Sequence, residues 1–245
     1  MSKNPTVNLS DLNFLKFYVQ DFDWYPLQNH GLIDLSISLK KEDLDFPNQI
    51  TSYLNLIKNI NTKNKNILDI GCGWGRGVDT IRKYTNSLVV GIDIEKEFIE
   101  YAKKTYKNSY YYIDNFLKTS LKENSFDLII SNCSCHFFYN LDNFFINIKK
   151  VLKKNGLIII SDIFSNDTYN VFFDNLIKHR LIIDLEENLS ESTINSMKDD
   201  IFNWPSKFCN KIPINTIAAL TSIQKHRLNL FEKNVNKQLK FILKK

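Results

Sequence analysis

Glycine is scarce in this chain, 7 in 245 residues, and four of the seven (Gly71, Gly73, Gly75 and Gly77) occupy alternate positions of a single stretch. A chain so poor in the most permissive residue concentrates it where the backbone must turn sharply or approach a ligand without a Cβ in the way. Cysteine is scarce too. Cys72, Cys133, Cys135 and Cys209 form no CxxC pair, which excludes a zinc ribbon or a dithiol redox motif and points to free thiols in a reducing compartment. The Cys133-x-Cys135 pair has no further spaced ligands, so these read as ordinary loop cysteines and no metal is expected. No apolar run reaches the length that spans a bilayer, and the opening MSKNPTVNLSDLNF lacks the apolar core of a secretory signal, giving a cytoplasmic expectation. A strong charge imbalance is also missing. Against 27 acidic residues stand 32 basic ones, and the excess gathers late, at Lys237, Lys240, Lys244 and Lys245. That is a solvated face rather than the clustered basic stripe of a nucleic-acid binder.

What is present is an ordinary globular composition, 43% hydrophobic and 24% charged, at a length that suits one α/β domain with an embellishment. Short, nearly continuous apolar runs recur at 67–70, 88–92, 110–113, 126–130 and 157–160. Strands buried on both faces read this way, because helices cover both sides of a parallel sheet. Between them lie segments of helical period at 77–84, 95–104 and 141–153, the last with Asn155-Gly156 as an expected C-cap. The alternation predicts a doubly wound, Rossmann-like α/β sheet, mostly parallel. A helix at 169–178, a strand at 181–185, a mainly helical stretch from 190 to about 225 and an antiparallel last strand at 237–244 complete it. The whole chain, 1–245, is expected to be a single domain. Residues 1–62 form an N-terminal helical cap, 63–189 the core, 190–235 a helical lid insertion and 236–245 the closing strand.

The strongest local signal is Asp69-Ile-Gly71-Cys72-Gly73-Trp-Gly75-Arg-Gly77, following a strand and opening a helix. A Gly-rich turn of this kind serves several cofactors. The dinucleotide register GxGxxG fails, since Arg76 and Val78 stand where a third glycine is needed. Asp69, two places before the first glycine, repels a pyrophosphate and suits a ligand bearing an ammonium group. About 20 residues on, Asp93 ends the second strand at the spacing where a carboxylate meets a ribose. Its bland alternative is capping the helix that follows.

These residues resemble motif I of class I S-adenosylmethionine-dependent methyltransferases. The resemblance implies that Asp69, Gly71, Cys72, Gly73 and Gly75 line a site for S-adenosyl-L-methionine, with Asp93 on its ribose and Ile94 on the adenine face. It implies further that Asp114-Asn115, after the third strand, meets the adenine amino group. Asn124-Ser-Phe-Asp127 through Ser131-Asn132 is similar to the family's fourth-strand segment, which puts Asn132 beside the methyl-transfer site. The Cys133-Ser-Cys135-His136 that follows departs from the DPPY or NPPY of enzymes that methylate base amino groups. His136 is the candidate general base, because an imidazole can take a proton from an acceptor hydroxyl near neutral pH. Asp162, after the fifth strand, is placed to pair with it. A packed loop histidine without a proton role is the alternative.

Gln28-Asn29-His30-Gly31 resembles a segment of the small-molecule branches, the sterol, tocopherol, phosphoethanolamine and sugar O-methyltransferase-like ones. Tyr18, Tyr25 and His30 are thus candidates to close over cofactor or acceptor. Ile201, Phe202, Trp204, Phe208 and Ile212 are available to a lid. The expected activity is methyl transfer to an O, N or C atom of a small-molecule acceptor. Alternatives are an RNA methyltransferase and a non-catalytic cofactor-binding subunit.

Overall fold

The computed structural model describes residues 29–210 and 214–245. The opening helix and the candidates Tyr18, Tyr25 and Ile212 lie outside the described residues.

From Asn66 onward strand and helix alternate. The strands are β1 (Asn66–Ile70), β2 (Leu88–Asp93), β3 (Tyr110–Ile113), β4 (Phe126–Asn132), β5 (Leu152–Phe164), β6 (Ile182–Asn188) and β7 (Lys237–Lys244). The helices are α1 (Pro47–Ile57), α2 (Arg76–Tyr84), α3 (Lys96–Thr105), α4 (Leu141–Val151), α5 (Asn166–Lys178), α6 (Ser190–Phe208) and α7 (Ile214–Glu232). One sheet results, in the order β3-β2-β1-β4-β5-β7-β6. The first five strands pair in parallel, and β7 runs antiparallel to both β5 and β6. The strand order reverses between β1 and β4, and a doubly wound sheet opens its ligand crevice at the carboxyl ends flanking that point.

The continuous apolar strands have the expected cause. Ile67, Leu128, Ile130 and Ile159 pack on one face with Ile50 and Leu54 of α1 and Val78 and Ile81 of α2. Leu68, Ile129, Ile158 and Ile160 pack on the other with Phe144 and Phe145 of α4 and Phe172 of α5. Successive residues of a strand point to opposite faces, so both must be apolar when both faces are covered.

Several boundaries differ from the sequence reading, among them β5, which runs from Leu152 to Phe164, and β6, which runs on to Asn188. Helix α4 ends at Val151, before Asn155-Gly156. Its last carbonyls, Lys150 O and Val151 O, accept from the amides of Asn124 and Ser125 at 3.0 and 2.8 Å. The chain enters the sheet at once, with Leu152 opposite Phe126, and Asn155 takes its positive φ inside an irregular β5. Helix α5 starts at Asn166, three residues before the expected Tyr169, because Ser165 and Thr168 form a reciprocal capping box. The single helical stretch expected after 190 is two helices, and α7 runs on to Glu232. Lys198 of α6 pairs with Glu232 of α7 at 2.9 Å. No helix among the described residues is long and apolar enough to cross a membrane.

Candidate active site

The glycine turn leaves β1 at the crevice. The amides of Gly71 and Cys72 both donate to Ile92 O of β2, at 2.9 and 3.0 Å. Across the reversal point, the Ser134 hydroxyl donates to Ile70 O at 2.7 Å, tying the loop after β4 to the end of β1. Gly73 has φ +52 and open space where a side chain would sit, a cradle that any Cβ would partly fill. Gly77 is glycine for another reason. A Cβ there would lie 2.0 Å from the ring of Tyr53, so α1 closes directly on the turn. Cys72 points its buried sulfur toward Gly91 and donates from it to Gly73 O at 3.8 Å within the turn.

Asp69 is completely buried. Neither carboxylate oxygen has a hydrogen-bond partner among the described residues. Burial raises its carboxyl well above the usual range, and the Asp93 charge adds to the shift. Asp93 is raised too, chiefly by burial. Its Oδ2 accepts from the Gly73 amide at 2.9 Å and its Oδ1 from the Glu95 amide at 3.0 Å. It therefore sits two positions before Glu95, the N-cap of α3, locks the glycine turn to the end of β2, and keeps lone pairs for further donors. Ile94 beside it is 60% exposed, an apolar surface at the rim of the crevice. Asp114 reaches the same edge, its amide bonded to Asp93 O at 2.9 Å and its Oδ2 accepting from Thr119 at 2.8 Å. Asn115 caps the short turn Phe116–Lys118 through Leu117 N at 3.1 Å.

The other half of the site grows from β4 and β5. Asn132 is buried, donates to Ser52 at 3.3 Å, and leaves its Oδ1 without a partner. His136 and Asp162 come together as expected. Asp162, completely buried, accepts the His136 amide at 2.9 Å and meets the ring Nδ1 at 2.6 Å. The carboxylate fixes the tautomer by taking the Nδ1 hydrogen, so the lone pair of the neutral ring lies on Nε2. Nε2 has no partner among the described residues, and the side chain is 30% exposed. Phe137 lies against the ring, centroids 4.0 Å apart.

His30 is buried, its ring edge-on to Phe231 of α7 at 6.2 Å and its carbonyl accepting from Ser196 of α6 at 3.0 Å. Burial lowers its pKa well below the usual value, and the charges of Arg227 and His136 lower it further. Trp204 is buried in a cleft between α6 and the start of α1, with Phe46, Gln49 and Asp200, while Phe202 is 82% exposed. Residues the sequence reading passed over also reach the site: Ser52 and Tyr53 of α1, Ser134, and Gln238 of β7.

A doubly wound sheet, a glycine turn lined by two carboxylates and no cation, and a His–Asp pair across the reversal point together define a class I methyltransferase. A family model described as a methyltransferase domain matches residues 61–235, and the chain belongs to that family. Among relatives, it is 29% identical over 182 residues to the ubiquinone biosynthesis O-methyltransferase of Pelagibacter ubique, covering 64% of this chain and 74% of the relative. Among solved structures it resembles geranyl diphosphate C-methyltransferase from Streptomyces coelicolor A3(2), with a TM-score of 0.71, 12% identity and coverage of 91% and 92% of the two chains. Phosphoethanolamine N-methyltransferase 2 of Haemonchus contortus gives 0.71 at 19% identity, covering 80% of this chain and 52% of that one. Curated relatives are spanned to between 32% and 74% of their own length.

The buried, unpartnered carboxylate of Asp69 and the open cradle at Gly73 fit S-adenosylmethionine. An ammonium group satisfies the carboxylate and relieves its repulsion with Asp93, whereas a pyrophosphate would worsen it.

Proposed function

We propose that the chain transfers the methyl group of S-adenosylmethionine to a hydroxyl of a small-molecule acceptor, with His136 as the general base. The observation that carries the reading is the His136 ring, held at Nδ1 by Asp162 and open at Nε2, on the loop that leaves the same strand as Asn132.

In this reading Asp69 and the backbone of the glycine turn hold the amino acid end of the cofactor. Asp93 accepts from the ribose hydroxyls, Ile94 covers one face of the adenine, and Asp114 accepts from its amino group. Bound there, the cofactor supplies an electrophilic methyl group whose sulfonium charge is neutralised on transfer. His136 Nε2 takes the acceptor's proton as the hydroxyl oxygen forms its bond to the methyl carbon, and Asp162 stabilises the resulting imidazolium. Alignment in a water-poor crevice accounts for at most about 7 to 11 kcal/mol of such a barrier. A positioned base adds roughly 10²- to 10⁴-fold. An amine or carbon acceptor would depend on His136 differently, so the histidine distinguishes the accepting atom.

The test is incubation of the pure protein with methyl-labelled cofactor and a metabolite extract, followed by identification of the labelled product. A labelled methyl ether, formed by the wild type and lost in His136→Ala, is the expected result. Labelled nucleic acid, or undiminished labelling by His136→Ala, would contradict the proposal.

A further inference from the structure

The edge of the sheet formed by β5, β7 and β6 borders a cavity of about 610 Å³ at the start of α5. Strand register places it beside the His136–Asp162 pair. Asp162 lies opposite Leu239 of β7, and Phe164, two residues further along β5, lies opposite Lys237. Residues paired across strands, or two apart along one, share a face of the sheet. Asp162, Phe164, Leu239 and Lys237 therefore all point to the side that α5 covers. Side chains directly opposite have Cβ atoms about 4.5 to 5.5 Å apart, which makes the Asp162 carboxylate an immediate neighbour of the cavity wall at Leu239.

The floor of the cavity is apolar and its mouth polar. Phe164 and Leu239 are buried, and the half-buried ring of Tyr169 stands 6.3 Å from that of Phe164 and stacks on Phe173 at 5.9 Å. Glu186 holds that ring in place, accepting from the Tyr169 hydroxyl at 3.2 and 3.3 Å. Around the mouth stand Asn166, the first residue of α5, Asn188, where the chain leaves the sheet for α6, and Lys237, where it returns from α7. The volume falls in the range of about 300 to 1,000 Å³ that small-molecule sites occupy. Two rings and a leucine side chain at the bottom suit a flat apolar body, because offset and edge contacts between rings add to the gain from burying area.

We propose that this cavity holds the body of the methyl acceptor, a hydroxylated molecule with a flat aromatic ring system that packs on Phe164, Tyr169 and Leu239 while its hydroxyl lies at His136. The three floor residues set specificity by shape and apolarity, and the polar mouth accommodates substituents that stay in water. This inference rests on the reading of His136 as the base, which supplies the reacting group beside the cavity.

The probe is umbelliferone, a flat hydroxylated bicyclic aromatic, titrated into the full chain at fixed pH while the imidazole resonances of His136 are followed. S-adenosylhomocysteine is titrated separately into the same protein. Saturable binding that shifts the His136 resonances is expected in the wild type. Asn166→Trp, which fills the mouth from an exposed position, should weaken that binding at least tenfold. Lys154→Trp, exposed near the opposite end of β5, should leave it unchanged. Should Asn166→Trp fail to fold, Lys237→Trp at the other lip carries the comparison. No saturable binding, binding that leaves His136 unmoved, equal affinity in wild type and the mouth variant, or the same loss in Lys154→Trp overturns the inference. If S-adenosylhomocysteine still binds in that case, the proposed function stands with its acceptor seated elsewhere. Umbelliferone binding as expected without any binding of S-adenosylhomocysteine upholds the cavity as a ring-binding site and sinks the methyl-transfer reading.

Discussion

At the scale of single residues, the account turns on two carboxylates with opposite tasks. Asp162 is fully committed, accepting from the His136 amide, the His136 ring and the Ile163 amide. Replacing it with asparagine keeps the shape but offers an amide hydrogen to Nδ1, which favours the wrong tautomer and empties Nε2 of its lone pair. Asp162→Asn should lower kcat about 10²- to 10⁴-fold while leaving the affinity for S-adenosylhomocysteine unchanged, as read by single-turnover kinetics and calorimetry. Equal kcat would remove the pair from the mechanism. Asp69 is the opposite case, a carboxylate with nothing to accept from. Its raised folded-state pKa means that the unfolded chain ionises it first, so folding loses stability as pH climbs from the ordinary carboxylate range toward that raised value. Asp69→Asn abolishes this loss. The ligand-free variant should match wild type near pH 4 and exceed it at pH 8 in denaturant unfolding. Its affinity for S-adenosylmethionine should nevertheless fall roughly 10- to 100-fold, the worth of a charged hydrogen bond.

At the scale of elements, the sheet was legible because its strands are apolar on both faces and its helices keep one polar face. Apolar runs such as Ile67–Ile70 and Leu157–Ile160 admit few other readings. The end of α4 moved because a distant partner decides it: the loop before β4 takes its carbonyls, and no local signal announces that, whereas the start of α5 is set by the local Ser165–Thr168 capping box. The His136–Asp162 pair was legible because consecutive parallel strands end at one edge of the sheet. Gln238 was not, since its place beside Cys133 depends on β7 returning between β5 and β6. Helix α6 is anchored by Asp200, which accepts from Gln49 at 2.8 Å. Burial, with Asp199 adding to it, raises the Asp200 carboxyl to about 7. Stability linked to burying this carboxyl in its protonated form should be fully present below about pH 4 and be lost as pH rises to about 7, on the order of 4 kcal/mol at most. Hydrogen exchange of the α6 amides, corrected for intrinsic rates, should therefore quicken between pH 5 and pH 8. Asp200→Asn should flatten that dependence, and an unchanged pH profile in the variant would assign the effect elsewhere.

At the scale of the whole molecule, a parallel sheet brings Asp69, Asp93, Asp114 and the His136–Asp162 pair to a single edge, and the antiparallel β7 lies between β5 and β6, away from β1 and β2. In the proposed reading Asp69, Asp93 and Asp114 make the cofactor half acidic, a place suited to a cation. The most direct measurement of this arrangement is calorimetric titration of the folded, ligand-free chain with S-adenosylhomocysteine, and with a nicotinamide dinucleotide in parallel. One equivalent of S-adenosylhomocysteine should bind, the dinucleotide should not, and Asp93→Ala should weaken the binding. Heat from the dinucleotide with none from S-adenosylhomocysteine would contradict the account.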